Sequence, residues 1–296
     1  MSTVVRSMTS LLARSTVLLG TALLAAGCAA QPGGSSAAPR TTPEATLPDA
    51  GGLVLQVAYT DGFVTPRYTY ARLPLVSVYT DGRVITEGPV AAVYPGPALP
   101  NLQVAQVDPA QVEALVQHAL DAGVGQHVDY GMPPVADVPN TLITVVTAEG
   151  KRTSEVYALQ PGLFPEDEDV PGLTDQQRAD RARLQDLVDE TSALGADSRP
   201  FEPEAIVAVA GTDIPAGASP DDIATWPGPP LPGDELSTGL GLFCVAARGE
   251  AATAVLEAAS GATTDTVWQN PQGGRWALTL RPLLPHEKGC ADLPRV

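Results

Sequence analysis

The sequence predicts an antiparallel α+β body, made of two small subdomains behind an N-terminal tether, and three observations carry that prediction. Strand-like runs come in adjacent pairs joined by short glycine-containing turns, at 75–86, 141–159 and 266–281. Helix-start signals stand between these pairs, at Asp108-Pro109-Ala110-Gln111 and Thr174-Asp175-Gln176-Gln177. Residues 28–52 are small residues, Pro and Thr with almost no bulky apolar side chain, a composition that cannot build a core. Strands in pairs with helices inserted between them exclude an alternating βαβ sheet.

Residues 1–27 read as an export signal. Arg6 and Arg14 are the only charges before Arg40, and the apolar run over 17–26 is too short to span a bilayer, which takes about 20 residues. The run ends in Leu24-Ala25-Ala26-Gly27-Cys28. That motif resembles the lipobox of bacterial lipoproteins, and the resemblance implies a diacylglyceryl thioether on Cys28 as the mature N-terminus. Two acyl chains hold a protein stably where one does not, each buried methylene contributing about 0.8 kcal/mol. Membrane lipid through acylated Cys28 is thus one expected partner, and the expected location is the outer face of the cell membrane.

The tether over 28–52 leads into a first α+β subdomain over 53–200. Residues 53–59 form a strand, and 75–79 and 83–86 a hairpin around Asp81-Gly82, where a type I′ turn needs positive φ at both positions. The peptide Tyr-Thr-Asp-Gly occurs at 59–62 and at 79–82, which turn chemistry alone explains. Prolines 95, 97 and 100 make 90–102 a packed extended loop. Asp108, Pro109 and Gln111 then supply an N-cap, a first-turn proline and a capping box, with Val112, Leu115, Val116 and Ala119 at helical spacing until Gly123 and Gly125. A second hairpin turns at Glu149-Gly150, and a helix over 174–194 shows Leu184, Leu187, Val188, Thr191 and Leu194 on one face.

A smaller subdomain over 201–296 follows. It has strands at 205–210 and 241–247, a helix over 250–259 and a hairpin of 266–269 with 275–281. Between the first two strands, 212–235 contains six prolines, with Ser219-Pro220-Asp221-Asp222 as a short capped helix. With Cys28 lipidated, Cys244 and Cys290 remain as an even pair in an oxidising compartment, and a disulfide pinning the tail to the sheet is expected. It would close a loop of about 47 residues, worth on the order of 4 kcal/mol.

Three stretches, Leu73-Pro74-Leu75-Val76-Ser77-Val78-Tyr79, the proline-rich segment 94–102 and Arg281-Pro282-Leu283-Leu284-Pro285, resemble a group of uncharacterised lipoproteins of high-GC Gram-positive bacteria. That resemblance implies export and lipidation and carries no catalytic residue.

Composition limits the chemistry. With 17 Lys+Arg against 34 Asp+Glu the formal net charge is −17, and losing residues 1–27 removes two arginines and no acid, giving −19. So acidic a surface disfavours a nucleic-acid partner and is repelled by anionic lipid. His118 and His127 lie nine positions apart, not at the i, i+4 spacing that puts two imidazoles on one helix face. The run Glu166-Asp167-Glu168-Asp169 is a weak calcium candidate, since the spacing and glycine of an EF-hand loop are missing and adjacent like charges usually mark a solvated loop. No Gly-x-Ser-x-Gly elbow occurs, and neither Lys151 nor Lys288 has a serine three positions before it. Gly239-Leu240-Gly241 lacks the third glycine and the helix of a dinucleotide loop. Trp268 and Trp276 flank the last hairpin and, with Trp226, either pack across strands or present an aromatic contact surface. No cofactor, catalytic residue or resident metal is expected. The expected function is a membrane-anchored cell-surface lipoprotein whose non-catalytic body binds or organises an envelope partner, possible as a protein. The alternative is an exported hydrolase with a site assembled from dispersed carboxylates. A solute receptor with two alternating α/β lobes does not fit the element order.

Overall fold

The computed structural model describes residues 46–164, 170–214, 222–237 and 239–295. The expected signal segment, Cys28, the acidic run Glu166–Asp169 and most of the expected helix at 219–222 lie outside them. Residues Thr42–Val296 form one compact unit that contains both sheets and all four apolar clusters, and it is antiparallel α+β.

The chain is held well before the expected end of the tether at residue 52. Thr46 O accepts from Ala148 N at 2.8 Å, Leu47 packs against the core, and Asp49 closes a turn with Gly52. Then β1 (Leu53–Thr60), β2 (Val76–Tyr79), β3 (Arg83–Glu87), β4 (Leu102–Gln106), β5 (Asn140–Thr147), β6 (Gly150–Tyr157) and the two-residue β7 (Arg199–Pro200) form one sheet in the order β6-β5-β1-β2-β3-β4-β7. Two capped helices cover one face. In α2 (Pro109–Asp121) and α3 (Asp175–Ala193) both capping boxes form, at Asp108/Gln111 and Thr174/Gln177. Val112, Leu115, Val116, Leu184, Leu187 and Val188 meet Val54, Val57, Val78, Ile143 and Val145 in the largest core.

A second sheet has the order β10-β11-β8-β13-β12-β9. Its strands are β8 (Ala205–Gly211), β9 (Ile223–Thr225), β10 (Asp234–Ser237), β11 (Leu242–Arg248), β12 (Val267–Gln269) and β13 (Arg275–Pro282). Every residue of β8 is buried, as its apolar run requires of a central strand. On one face α4 (Glu250–Ser260) packs through Ala252, Val255 and Ala259. The other face receives Tyr70 from α1 (Pro66–Ala71), a helix of the N-terminal half, together with Leu283 and Leu293.

Several features depart from the sequence reading, among them the edge strands β7, β9 and β10, which it did not place, with β9 pairing parallel to β12. The Asp81-Gly82 turn is not type I′: only Gly82 has positive φ (83°), and Gly82 N bonds Tyr79 O, a type I turn followed by a left-handed glycine. A Cβ at Gly82 would stand 2.2 Å from Val107 O, so the position is closed to other residues. Strand β4 occupies a segment read only as the end of a loop and the approach to a helix. Helix α1 was not anticipated, although Thr65 caps it and Pro66 opens it. The second hairpin turns at Ala148-Glu149, one position early, since Thr147 pairs with Gly150.

Cys244 in β11 and Cys290 in the tail are disulfide-bonded, with Cα atoms 6.0 Å apart. Replacing either cysteine with alanine, or reducing the bond, should destabilise the body by about 2–4 kcal/mol, read as a lower melting temperature in non-reducing buffer. An unchanged melting curve would show that the bond contributes nothing to stability.

Candidate trough on the open sheet face

Alternation along the strands gives the first sheet a second face, turned away from α2 and α3. Over β2, β3 and β4 that face is covered: Tyr79, Ile85, Leu102 and Val104 pack against Leu284, with Leu53, Leu73 and Phe201 at the margin. Over β1 and β5 it is open, forming a trough of about 850 Å3. Its floor is Gln56, Ala58, Leu142, Thr144 and Val146, and the pairings Gln56↔Thr144 and Ala58↔Leu142 set these side chains in cross-strand rows. One end is bounded by residues 48–53, the other by Tyr59, Thr60, Thr69 and Arg72. The wall comes from far downstream: Arg281, His286, Glu287, Asp292, Pro294 and Arg295.

The wall is fixed by a buried ion pair. Arg281 and Glu287, with side chains 1% and 5% exposed, form two parallel hydrogen bonds of 2.7 Å. Glu287 Oε2 also accepts from Leu284 N at 2.8 Å, and Arg281 Nε donates to Arg72 O at 3.4 Å. Such a pair overcomes its desolvation only when geometry and extra hydrogen bonds are both good, as here. Beside it, His286 Nδ1 lies 2.9 Å from Tyr79 Oη. Burial, then the charge of Glu287, raises the Tyr79 hydroxyl far above its ordinary range, so it stays protonated. Burial lowers the His286 imidazole, and the opposing pull of Glu287 is smaller. The Tyr79–His286 contact therefore joins two neutral groups at neutral pH.

Charge is distributed unlike the rest of the molecule. The trough is lined by four cationic side chains, Arg72, Lys151, Arg281 and Arg295, and three acids, Asp49, Glu287 and Asp292, in a chain whose acids outnumber its bases two to one. Arg281 is neutralised by Glu287, and Arg72 lies against the Tyr68 ring and donates to Asp61 O at 3.0 Å. Lys151 and Arg295 make no ion pair among the described residues. The trough is thus a locally cationic region on an acidic body, suited to a ligand with acidic groups.

The residues singled out from sequence do not converge there. His118 sits on α2 and pairs with Glu190 of α3 at 2.5 Å, His127 is exposed beyond the helix, and only His286 lines the trough. No group of three metal-ligating side chains comes together among the described residues. The tryptophans pack instead of presenting a surface. Trp268 and Trp276 are cross-strand partners, Trp226 meets Trp268 edge-on at 5.6 Å, and Phe243 meets Trp276 at 6.0 Å. Gly239 and Gly241 both have positive φ in the turn entering β11. Sequence reasoning missed Gln56, Thr144, Arg281 and Glu287. For the floor, the alternation of β1 and β5 was a usable signal; for the ion pair, which joins the end of β13 to a turn six positions on, there was none.

Two outcomes are expected. Glu287→Ala leaves a buried guanidinium unpaired and should cost about 3–5 kcal/mol in chemical denaturation, whereas Arg281→Met with Glu287→Leu should lose clearly less. For His286, the folded value lies below the ordinary 6.5, so its contribution is intact above 6.5 and is lost as pH falls toward the lower folded value. Stability measured across that window should drop with pH in the wild type and drop less in His286→Gln. No protein-family model, no curated protein and no solved structure matches the chain, so the trough is interpreted from its own geometry.

Proposed function

We propose that the chain is an exported lipoprotein, held at the outer face of the cell membrane by diacylglyceryl-modified Cys28, whose body is a non-catalytic binding module with the trough as its binding surface. The anchor rests on Arg6 and Arg14, the short apolar run and Leu24-Ala25-Ala26-Gly27-Cys28. The disulfide accords with an oxidising compartment. Binding rests chiefly on one observation: a long sheet-floored trough of mixed polar and apolar lining, with two cations, Lys151 and Arg295, that make no ion pair among the described residues, beside a wall made rigid by a buried ion pair. A floor running along β1 suits an extended segment of an envelope protein that carries acidic side chains.

The alternative hydrolase would draw on the acids lining the trough. Glu287 is committed to Arg281 and to Leu284 N, and Asp292 Oδ2 accepts from Lys288 N at 2.6 Å. Carboxylates used in this way hold the wall, which favours binding over acid–base work.

Cys28→Ala should move the protein from the membrane to the medium; retention would overturn the anchor. A photo-reactive residue at Val146, on the trough floor, should capture one envelope protein in intact cells, while the same group at exposed Glu113 on α2 should not. Turnover of an ester, peptide or glycoside by purified Thr42–Val296 would overturn the binding reading.

A further inference from the structure

The two sheets have four edges, and three are blunted. Among the described residues β7 has two residues, β9 has three, and β10 has four with an irregularity between Glu235 and Ser237. Short or bulged edges are how folds avoid strand-to-strand association. Strand β6 is different. It is an edge of the first sheet, is eight residues long, contains no proline, and keeps unbroken register with β5 from Asn140↔Tyr157 to Thr147↔Gly150.

Main-chain direction along β6 follows from the hairpin. A two-residue loop places Thr147 and Gly150 in the hydrogen-bonded pair, so even-numbered residues turn N–H and C=O toward β5 and odd-numbered ones turn them outward. The carbonyl of Tyr157 agrees, since it is taken by Arg181 Nη2 at 2.9 Å. At Lys151, Thr153 and Glu155 the outward groups have no main-chain partner among the described residues, and all three side chains are exposed.

These three residues are self-complementary. A two-fold axis at Thr153, perpendicular to the sheet, pairs two antiparallel copies of β6 so that Lys151 faces the second copy's Glu155 and Glu155 the second copy's Lys151, with Thr153 opposite Thr153. Each of the three is a hydrogen-bonded pair, giving about six inter-chain main-chain bonds. Among the described residues Lys151 carries no other ion pair, and Glu155 binds Thr60 and Asn140 through Oε1 alone, leaving Oε2 for the second copy. Charges placed only to repel other strands would not match each other across a two-fold, and shifting the register by two residues loses both pairs.

We propose that the body self-associates through β6 as an isologous dimer, extending the first sheet across the two-fold in the register Lys151↔Glu155. The occupant of this edge is a second copy of the chain, and the pairing leaves both troughs on the same face of the joined sheet, each with Lys151 engaged by the second copy and Arg295 as its remaining cation without an ion pair among the described residues.

The test is sedimentation of Thr42–Val296, which carries its own sheets and cores, from micromolar to millimolar concentration at physiological salt. The expected result is a concentration-dependent monomer–dimer equilibrium. Thr153→Pro removes an outward N–H that the monomer does not use, so it should keep the melting temperature and abolish the dimer. Lys151→Glu turns two attractions into repulsions and should weaken association by about tenfold or more, with Lys151→Glu plus Glu155→Lys restoring it. A wild type that stays monomeric throughout overturns the proposal. So does a dimer that survives Lys151→Glu unchanged, which would place the contact elsewhere.

Discussion

Arg281 and Glu287 organise the side of the molecule that carries the trough. Both ions have left water almost completely, and each satisfies the other through two bonds while Leu284 N and Arg72 O take up remaining capacity. Because breaking such a pair strands a charge, the turn from Pro282 to Glu287 is held to one geometry. That turn drives Leu284 into the cluster of Tyr79 and Ile85 and sets His286 against Tyr79. Further along, the disulfide to β11 ties the same segment to the second sheet.

From this clasp follows the division of the open sheet face. Where Leu284 and Phe201 reach, the face over β2 to β4 is core; where they stop, over β1 and β5, it becomes the trough. The same strand positions therefore serve two purposes depending on what lies above. Ser77 and Thr144 are buried polar side chains within this face, and Gln56 donates to Ser77 Oγ at 3.0 Å across β1 and β2, so the floor is tied sideways to the covered part of the sheet. Helix α1 stitches the halves from the opposite direction by seating Tyr70 on the second sheet.

Legibility in the sequence followed the range of the forces involved. Capping boxes at Asp108 and Thr174 and the apolar stripes behind them are local, and both helices stand where those signals put them. The cysteine pair was equally readable, because assigning Cys28 to a lipid left one partner for Cys244, and the two are joined. The two copies of Tyr-Thr-Asp-Gly mark the limit of local reasoning. Asp61 and Gly62 both take positive φ and lead into α1, whereas at 79–82 only Gly82 does and a hairpin closes. Identical residues chose different turns because the flanking strands pair in one case and not in the other. Helix α1 has a readable start, Thr65-Pro66, yet six residues are too few to hold a helix alone, and its stability comes from Tyr70 in a distant cluster. The trough wall was invisible for the same reason: nothing near Arg281 in sequence says that a sheet will bury it.

The separation of floor and wall has a consequence for how the site comes into being. Tyr79 and His286 lie 207 positions apart, so the trough is among the last features a chain emerging from its N-terminus can complete. The first sheet can find its helices while the wall is still being delivered. Until Arg281 meets Glu287 and Cys290 meets Cys244, the face over β1 and β5 is simply the exposed side of a sheet. Completion of the site thereby reports that the chain has been made through to its C-terminal segment and that Cys244 and Cys290 have joined. A chain whose synthesis has not passed Glu287 carries the floor without the wall.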